Sequence, residues 1–167
     1  RTPEVDEAVL PSPFDYARQS VLAVPTDLPD PRASPDGLNR ATARVVEDLA
    51  GITGGGLFAL FTSHWALREV ARLLRESGAE AHWPLYVHGE VNRARLLAEF
   101  TERNDGILLG TASFWEGVDV PGDPLRGLVI QKLPFRVPTE PVTAARIEAL
   151  EARGRDAFSG YMLPLAA

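Results

Sequence analysis

Two rhythms of apolar residues alternate along the chain. Short unbroken apolar runs occupy 57–61, 83–88, 106–109 and 128–130. Runs of this length, bounded by turn residues, read as strands buried on both faces. Between them, apolar residues recur every three or four positions. Leu38, Ala41, Val45, Val46 and Leu49 do so within 36–49, then Leu67, Val70, Ala71 and Leu74, then Leu96, Leu97 and Phe100. These spacings predict amphipathic helices. Thr62 or Ser63 and Asn92 stand where N-caps belong, and Gly78 where a C-terminal cap belongs. Gly51 and Gly54-Gly55-Gly56 are expected to stop the first helix. A last helix is predicted from Thr139-Glu140-Pro141 to about Arg153, with Gly154 past its end. Val21 to Val24 is one more apolar run, ended by Pro25, and reads as a strand near a sheet edge. Asp27 to Pro35 holds three prolines and reads as a loop.

Strands alternating with helices of this length predict an α/β fold, a parallel sheet with helices on both faces. In such sheets ligands bind beyond the carboxyl ends of the strands. That rule selects four loops for one rim: Thr62-Ser63-His64, His88-Gly89-Glu90, residues 110–122, and Lys132 to Arg136.

The 167 residues suit one domain. No apolar run approaches the roughly 20 residues that span a bilayer, so no membrane partner is expected. The chain has no cysteine, which removes disulfides and thiolate metal sites and fits a cytoplasmic location. The net charge is −6, which by itself argues against a nucleic-acid binder. The acid is uneven, however. Residues 1–50 carry nine acids against five arginines, whereas residues 51–100 carry five of each sign. Net charge therefore describes no single face. The opening Arg1-Thr2-Pro3 and the apolar close at 161–165 read as a piece of a longer protein.

The richest rim loop is GTASFWEGVDVPG, residues 110–122. Thr111 and Ser113 suit phosphate oxygens. Glu116 and Asp119 suit ribose hydroxyls or a basic partner, and Gly117 suits close backbone approach. Phe114 and Trp115 read first as packing residues. Thr62, Ser63 and His64 form the start of a helix, where free N–H groups favour an anion. Ser63 also reads simply as the cap, its commoner role. The three histidines lack metal-site spacing, and no GxxxxGK[ST] segment is present. Lys132 and Arg136 suit phosphate or plain solvation.

Three stretches, GTASFWEGVDVPG, LFTSHWALREVARLL (60–74) and KLPFRVPTEPVTAAR (132–146), resemble the second motor domain of bacterial DinG-type DNA helicases, in the XPD-like branch of superfamily 2. SPFDYARQ (12–19), DLPDP (27–31) and FSGYMLPLA (158–166) extend the resemblance over nearly the whole chain. It implies a RecA-like domain over 21–167, truncated before the family's final arginine motif, with 1–20 as a lead-in linker. It implies an ATP-dependent helicase of a DNA-repair type that moves 5′ to 3′ on single-stranded DNA. ATP and Mg2+ would be bound mainly by a first motor domain outside this sequence, and any iron–sulfur cluster would also lie outside it. Thr62, Ser63, His64, Thr111 and Ser113 would meet DNA, and Glu116, Gly117 and Asp119 would serve the nucleotide. No catalytic residue falls in this piece, which alone is expected to be inactive. Many such relatives carry Gln where this chain has His88. The alternative is a non-catalytic nucleic-acid or protein binding module that keeps the fold. A nucleotide-sugar transferase half shares the α/β pattern but leaves the order of motifs unexplained.

Overall fold

The computed structural model describes residues 9–115, 118–120 and 122–166. After a single helical turn, α1 (Tyr16–Gln19), come α2 (Pro35–Thr53), β1 (Leu57–Leu60), α3 (His64–Glu76), β2 (Leu85–Val87), α4 (Arg93–Arg103), β3 (Ile107–Gly110), β4 (Gly127–Ile130) and α5 (Pro141–Glu151). The four strands form one sheet in the order β2-β3-β1-β4, and every pairing is parallel.

β1 is the centre. Leu57, Phe58, Ala59 and Leu60 pair with Ile107 to Gly110 on one side and with Gly127 to Ile130 on the other. All four residues of β1 and all four of β3 are buried. Successive side chains of a strand point to opposite faces, so the unbroken apolar runs feed two cores. Leu57, Ala59, Phe61, Ile107 and Leu109 join the buried faces of α2 and α3. Phe58, Leu60, Tyr86 and Leu108 join Leu96 and Phe100 of α4 and the loop residue Phe114. The predicted α/β sheet with helices on both faces is thus present. At β4 the cover is one-sided. Val129 packs on the first core, while Leu128 and Ile130 remain 52% and 42% exposed.

Local chemistry sets the ends. The Ser63 hydroxyl accepts from the Ala66 N–H at 3.3 Å and caps α3. Asn92 caps α4, its side-chain oxygen accepting from the Arg95 N–H at 2.9 Å. At the opposite edge of the sheet one guanidinium gathers three connections. Arg126 donates to the carbonyls of Thr53, Gly54, Asn104 and Asp123 and to the Asn104 side chain. The carbonyls left free where α2 and α4 end thereby find donors.

Two sequence expectations need correction. Residues 21–24 form no strand; Val21 and Leu22 are 94% and 90% exposed. A short apolar run becomes a strand only with a ladder partner for its backbone groups, and no strand of the sheet pairs with it. The first helix also runs through Gly51 to Thr53 and stops only at Gly54, which takes φ +69°. A glycine inside a helix costs about 1 kcal/mol. Here burial of Ala50 and the bond from the Thr53 hydroxyl to the Leu49 carbonyl hold that last turn.

Leu67 is fully buried between α3 and the sheet. Leu67→Ala is expected to lower the unfolding free energy by about 2–5 kcal/mol in urea denaturation.

Candidate nucleic-acid and nucleotide site

Parallel pairing brings the carboxyl ends of β1, β2, β3 and β4 to one rim. Thr62, Ser63 and His64 follow β1, His88 follows β2, Thr111 follows β3, and Gln131 and Lys132 follow β4. Residues that are 20 to 70 positions apart in the chain therefore become neighbours.

The tightest cluster joins three of these ends. The Thr111 hydroxyl lies 2.8 Å from Nδ1 of His88 and 3.4 Å from Nε2 of His64. The two imidazole rings are 5.1 Å apart. His88 is half-buried and Thr111 is buried, while His64 is exposed at the start of α3. Burial holds His88 below the usual histidine range, and the nearby His64 and Arg93 push it the same way. The ring of Phe114 meets His88 edge-on at 4.9 Å, and the Arg93 guanidinium sits 5.4 Å over that same ring. Arg93 also donates to the Ser113 carbonyl at 3.2 Å.

The turn after β3 is tight for a steric reason. A Cβ on Gly110 would come within 2.7 Å of the Phe114 Cβ. Glycine at 110 lets Phe114 fold back under the loop into the second core. That anchor turns residues 111–115 across the strand ends. Trp115 is half-buried on the same core, and its indole N–H donates to the Phe61 carbonyl at 3.5 Å. Both aromatics are packing elements. Close backbone approach is required at Gly110; Gly117, to which the sequence pattern assigned it, lies outside the described residues.

Beside this cluster an open cleft of about 600 Å³ is lined by Arg32, Thr62, Trp115, Lys132 and Phe135, among others. Among the described residues, neither the Arg32 guanidinium nor the Lys132 ammonium forms an ion pair within 4.0 Å, but the Asp30 carboxylate stands beside Arg32 and accepts from its backbone N–H at 2.7 Å. Glu90, the acid of the β2 loop, is held away by Arg75 at 2.9 Å. Arg32 and Lys132 thus bring two cations to the cleft, with Asp30 next to them. Gln131 is anchored below it, its amide donating to Asn39 at 2.9 Å and to Thr42 at 3.1 Å.

Of the residues expected to meet DNA, His64 and Thr111 come together. Thr62 lines the cleft, Ser63 is occupied as a cap, and the exposed Ser113 lies one turn beyond Thr111. Of the expected nucleotide residues, Glu116 and Gly117 lie outside the described residues. Asp119 is exposed, and no hydrogen bond links it to the hydroxyl cluster among the described residues. Sequence reasoning passed over His88, Arg93 and Arg32 as site residues. The rule for strand ends does reach His88, since it directly follows the predicted middle strand. Among the described residues no three His, Asp or Glu side chains gather as a metal site.

Residues 46–167 match the family described as helicase C-terminal domain. The chain is 38% identical over 161 residues to the ATP-dependent DNA helicase YoaA of Escherichia coli, a match that covers 96% of this chain. It is 35% identical over 161 residues to the ATP-dependent DNA helicase DinG of Photobacterium profundum, covering 93%. It is 34% identical over 157 residues to the 3'-5' exonuclease DinG of Bacillus subtilis, covering 92%. These matches cover 24%, 22% and 17% of the relatives' own lengths, so the chain spans at most about a quarter of them. With its parallel sheet and its motif loops on one rim, the chain belongs to the helicase C-terminal domain family.

Proposed function

We propose that this chain is the second motor domain of an ATP-dependent DNA helicase and that its rim carries single-stranded DNA. In this reading ATP hydrolysis occurs between this domain and a first motor domain of the same protein. It drives movement along the strand, in the 5′ to 3′ direction that the family resemblance implies. The observation that supports it most is the meeting of Thr111, from the loop after β3, with His64, from the start of α3, 3.4 Å apart. Residues from two separate family motifs meet there, the exposed His64 where a backbone phosphate is expected and the buried Thr111 hydrogen-bonded to it. The names of the relatives favour a motor over a binding-only module.

Two cations line the cleft, with Asp30 beside them, so the net charge does not describe this face. Association with a polyanion depends on the local field. Arg32 and Lys132 beside the cleft, with Arg93 near the histidines, offer that field at the strand ends. Ser113 extends the same line of donors, and Thr62 lines the cleft wall. The Ser63 hydroxyl is committed to its cap, so its contribution is to hold the first turn of α3 and keep that turn's N–H groups directed at an anion.

On the other limb of the loop, Asp119 is assigned to the nucleotide, accepting from a ribose hydroxyl; Glu116 and Gly117 carry the same assignment. The described residues offer no ligand set for Mg2+, and the chain has no thiolate for an iron–sulfur cluster. Phosphoryl transfer depends on positioned cations around the transferred group. With no GxxxxGK[ST] segment in this sequence, the lysine that cradles the phosphates must come from the partner motor domain.

Three outcomes test the reading. The purified 167-residue chain should show no ATP turnover above background in a phosphate-release assay; robust turnover refutes the division of labour. In the intact protein, Asp119→Ala should lower DNA-stimulated ATPase activity about tenfold, the cost of one lost hydrogen bond to a charged group. Its melting temperature should hardly move, since Asp119 is exposed. Binding of the intact protein to an oligo-dT strand should weaken steeply with salt. The log–log slope should be about −0.7 for each phosphate neutralised, and a flat salt response counts against a DNA-bearing rim.

A further inference from the structure

We propose that His88 is a positioning residue: through the Thr111 hydroxyl it orients His64 to bind a backbone phosphate of single-stranded DNA. The inference rests on the DNA reading of the rim and adds to it a residue and a relay.

Thr111 cannot easily serve as the phosphate ligand itself. It is 5% exposed, and its hydroxyl lies between two imidazole nitrogens, Nδ1 of His88 at 2.8 Å and Nε2 of His64 at 3.4 Å. A hydroxyl has one proton to donate and lone pairs that accept. With both imidazoles neutral and Thr111 donating to one of them, the three groups form a chain whose protons all point one way. If they point inward, Thr111 donates to His88 and accepts from His64. If they point outward, His88 Nδ1–H donates to Thr111, and Thr111 donates to His64 Nε2. The outward direction leaves the His64 proton on Nδ1, where no residue of the described structure takes it.

A phosphate oxygen only accepts, and a neutral His64 with Nε2 on Thr111 can offer it a proton only from Nδ1, so a phosphate at neutral His64 requires the outward direction. The same logic governs metal-bound and catalytic histidines: the partner of one ring nitrogen decides what the other carries. His64 is the exposed member of the chain, at the first turn of α3, where the free N–H groups also favour an anion. His88 is the inner member, and its surroundings keep it neutral. It is half-buried, edge-on to Phe114, with His64 across from it on α3 and Arg93 beside it on α4. The other faces bring no carboxylate within 4.0 Å of its ring among the described residues. A neutral ring can hold its proton on Nδ1 and start the outward chain. It also avoids placing two imidazolium charges 5.1 Å apart.

His88 is held rigidly enough for this role. Its N–H donates to the Leu109 carbonyl at 3.0 Å and it bridges to Val91, so the backbone on both sides is fixed. A glutamine at the same position would offer an amide N–H to Thr111 and preserve the outward direction, whereas leucine would fill the space and offer nothing.

The test uses the intact protein and an oligo-dT strand, read by fluorescence anisotropy at fixed pH and salt. His88→Leu is expected to weaken binding about two- to tenfold, the range for one hydrogen bond. His88→Gln should restore it to within about twofold. In a His64→Ala background, His88→Leu should cause little further loss, because the inner residue acts only through His64. The ring 15N shifts of His64 in the DNA complex should report a proton on Nδ1 in the wild type and in His88→Gln. Binding by His88→Leu equal to wild type, or an equal loss in the His64→Ala background, overturns the inference while leaving the DNA reading intact. A wild-type protein that shows no salt-dependent binding to the strand overturns both.

Discussion

Parallel pairing of β1 on both its edges is the constraint from which the rest follows. A parallel strand can be reached only through a crossover, here α3, α4 or the loop after β3, and each crossover returns the chain to the same edge of the sheet. Every strand of this sheet therefore ends at the same rim. The buried register of Leu57 to Leu60 against Ile107 to Gly110 fixes this rim to within one residue, because a slip by one would turn each apolar side chain to the opposite core. At the other edge Arg126 ties together the segments that lead into β1, β3 and β4. One end of the sheet is held by side-chain hydrogen bonds to backbone; the other is left to carry polar chemistry.

That division accounts for the odd composition of residues 110–122. Phe114 is buried in the second core and Trp115 is half-buried upon it, so the loop is pinned at its middle. Hydroxyls precede the pin and carboxylates follow it. A loop anchored on the core between two polar limbs offers a short mechanical route between whatever each limb binds. If DNA lies on the first limb and nucleotide on the second, Phe114 stands between the two in the chain. The bulk charge of −6 does not oppose this. Four of the six excess negative charges fall in residues 1–50, and on the rim Glu90 is already held by Arg75, while Arg32 and Lys132 line the cleft with Asp30 beside them.

The open side of β4 marks where the fold's cover thins. Leu128 and Ile130 stay exposed, and α5 buries only Thr143. The apolar residues of α5 do not collect on one stripe, so it has no face with which to cover β4. The contrast with α3, where Ala66, Leu67, Val70, Ala71 and Leu74 are all buried, shows what a matching stripe achieves.

Much of this was legible in the sequence. The continuous apolar runs specified strands buried on both faces, and the spacing of Leu67, Val70, Ala71 and Leu74 specified the helix against them. Ser63, Asn92 and Gly78 marked the helix ends, and the motif order specified the family. These are local properties, set by side-chain periodicity and by the backbone needs of a few residues. Where the chain's fate depended on partners elsewhere, the sequence was insufficient. Val21 to Val24 has the composition of a strand but finds no ladder. Gly51 has the character of a helix stop but lies in a helix held by the buried Ala50 before it and by the Thr53 hydroxyl on the Leu49 carbonyl. The meeting of His64, His88 and Thr111 was likewise decided by tertiary structure alone. Their separations of 24 and 23 residues carry no periodic signal, and only the parallel sheet, by ending β1, β2 and β3 at one rim, brings a hydroxyl between two imidazoles.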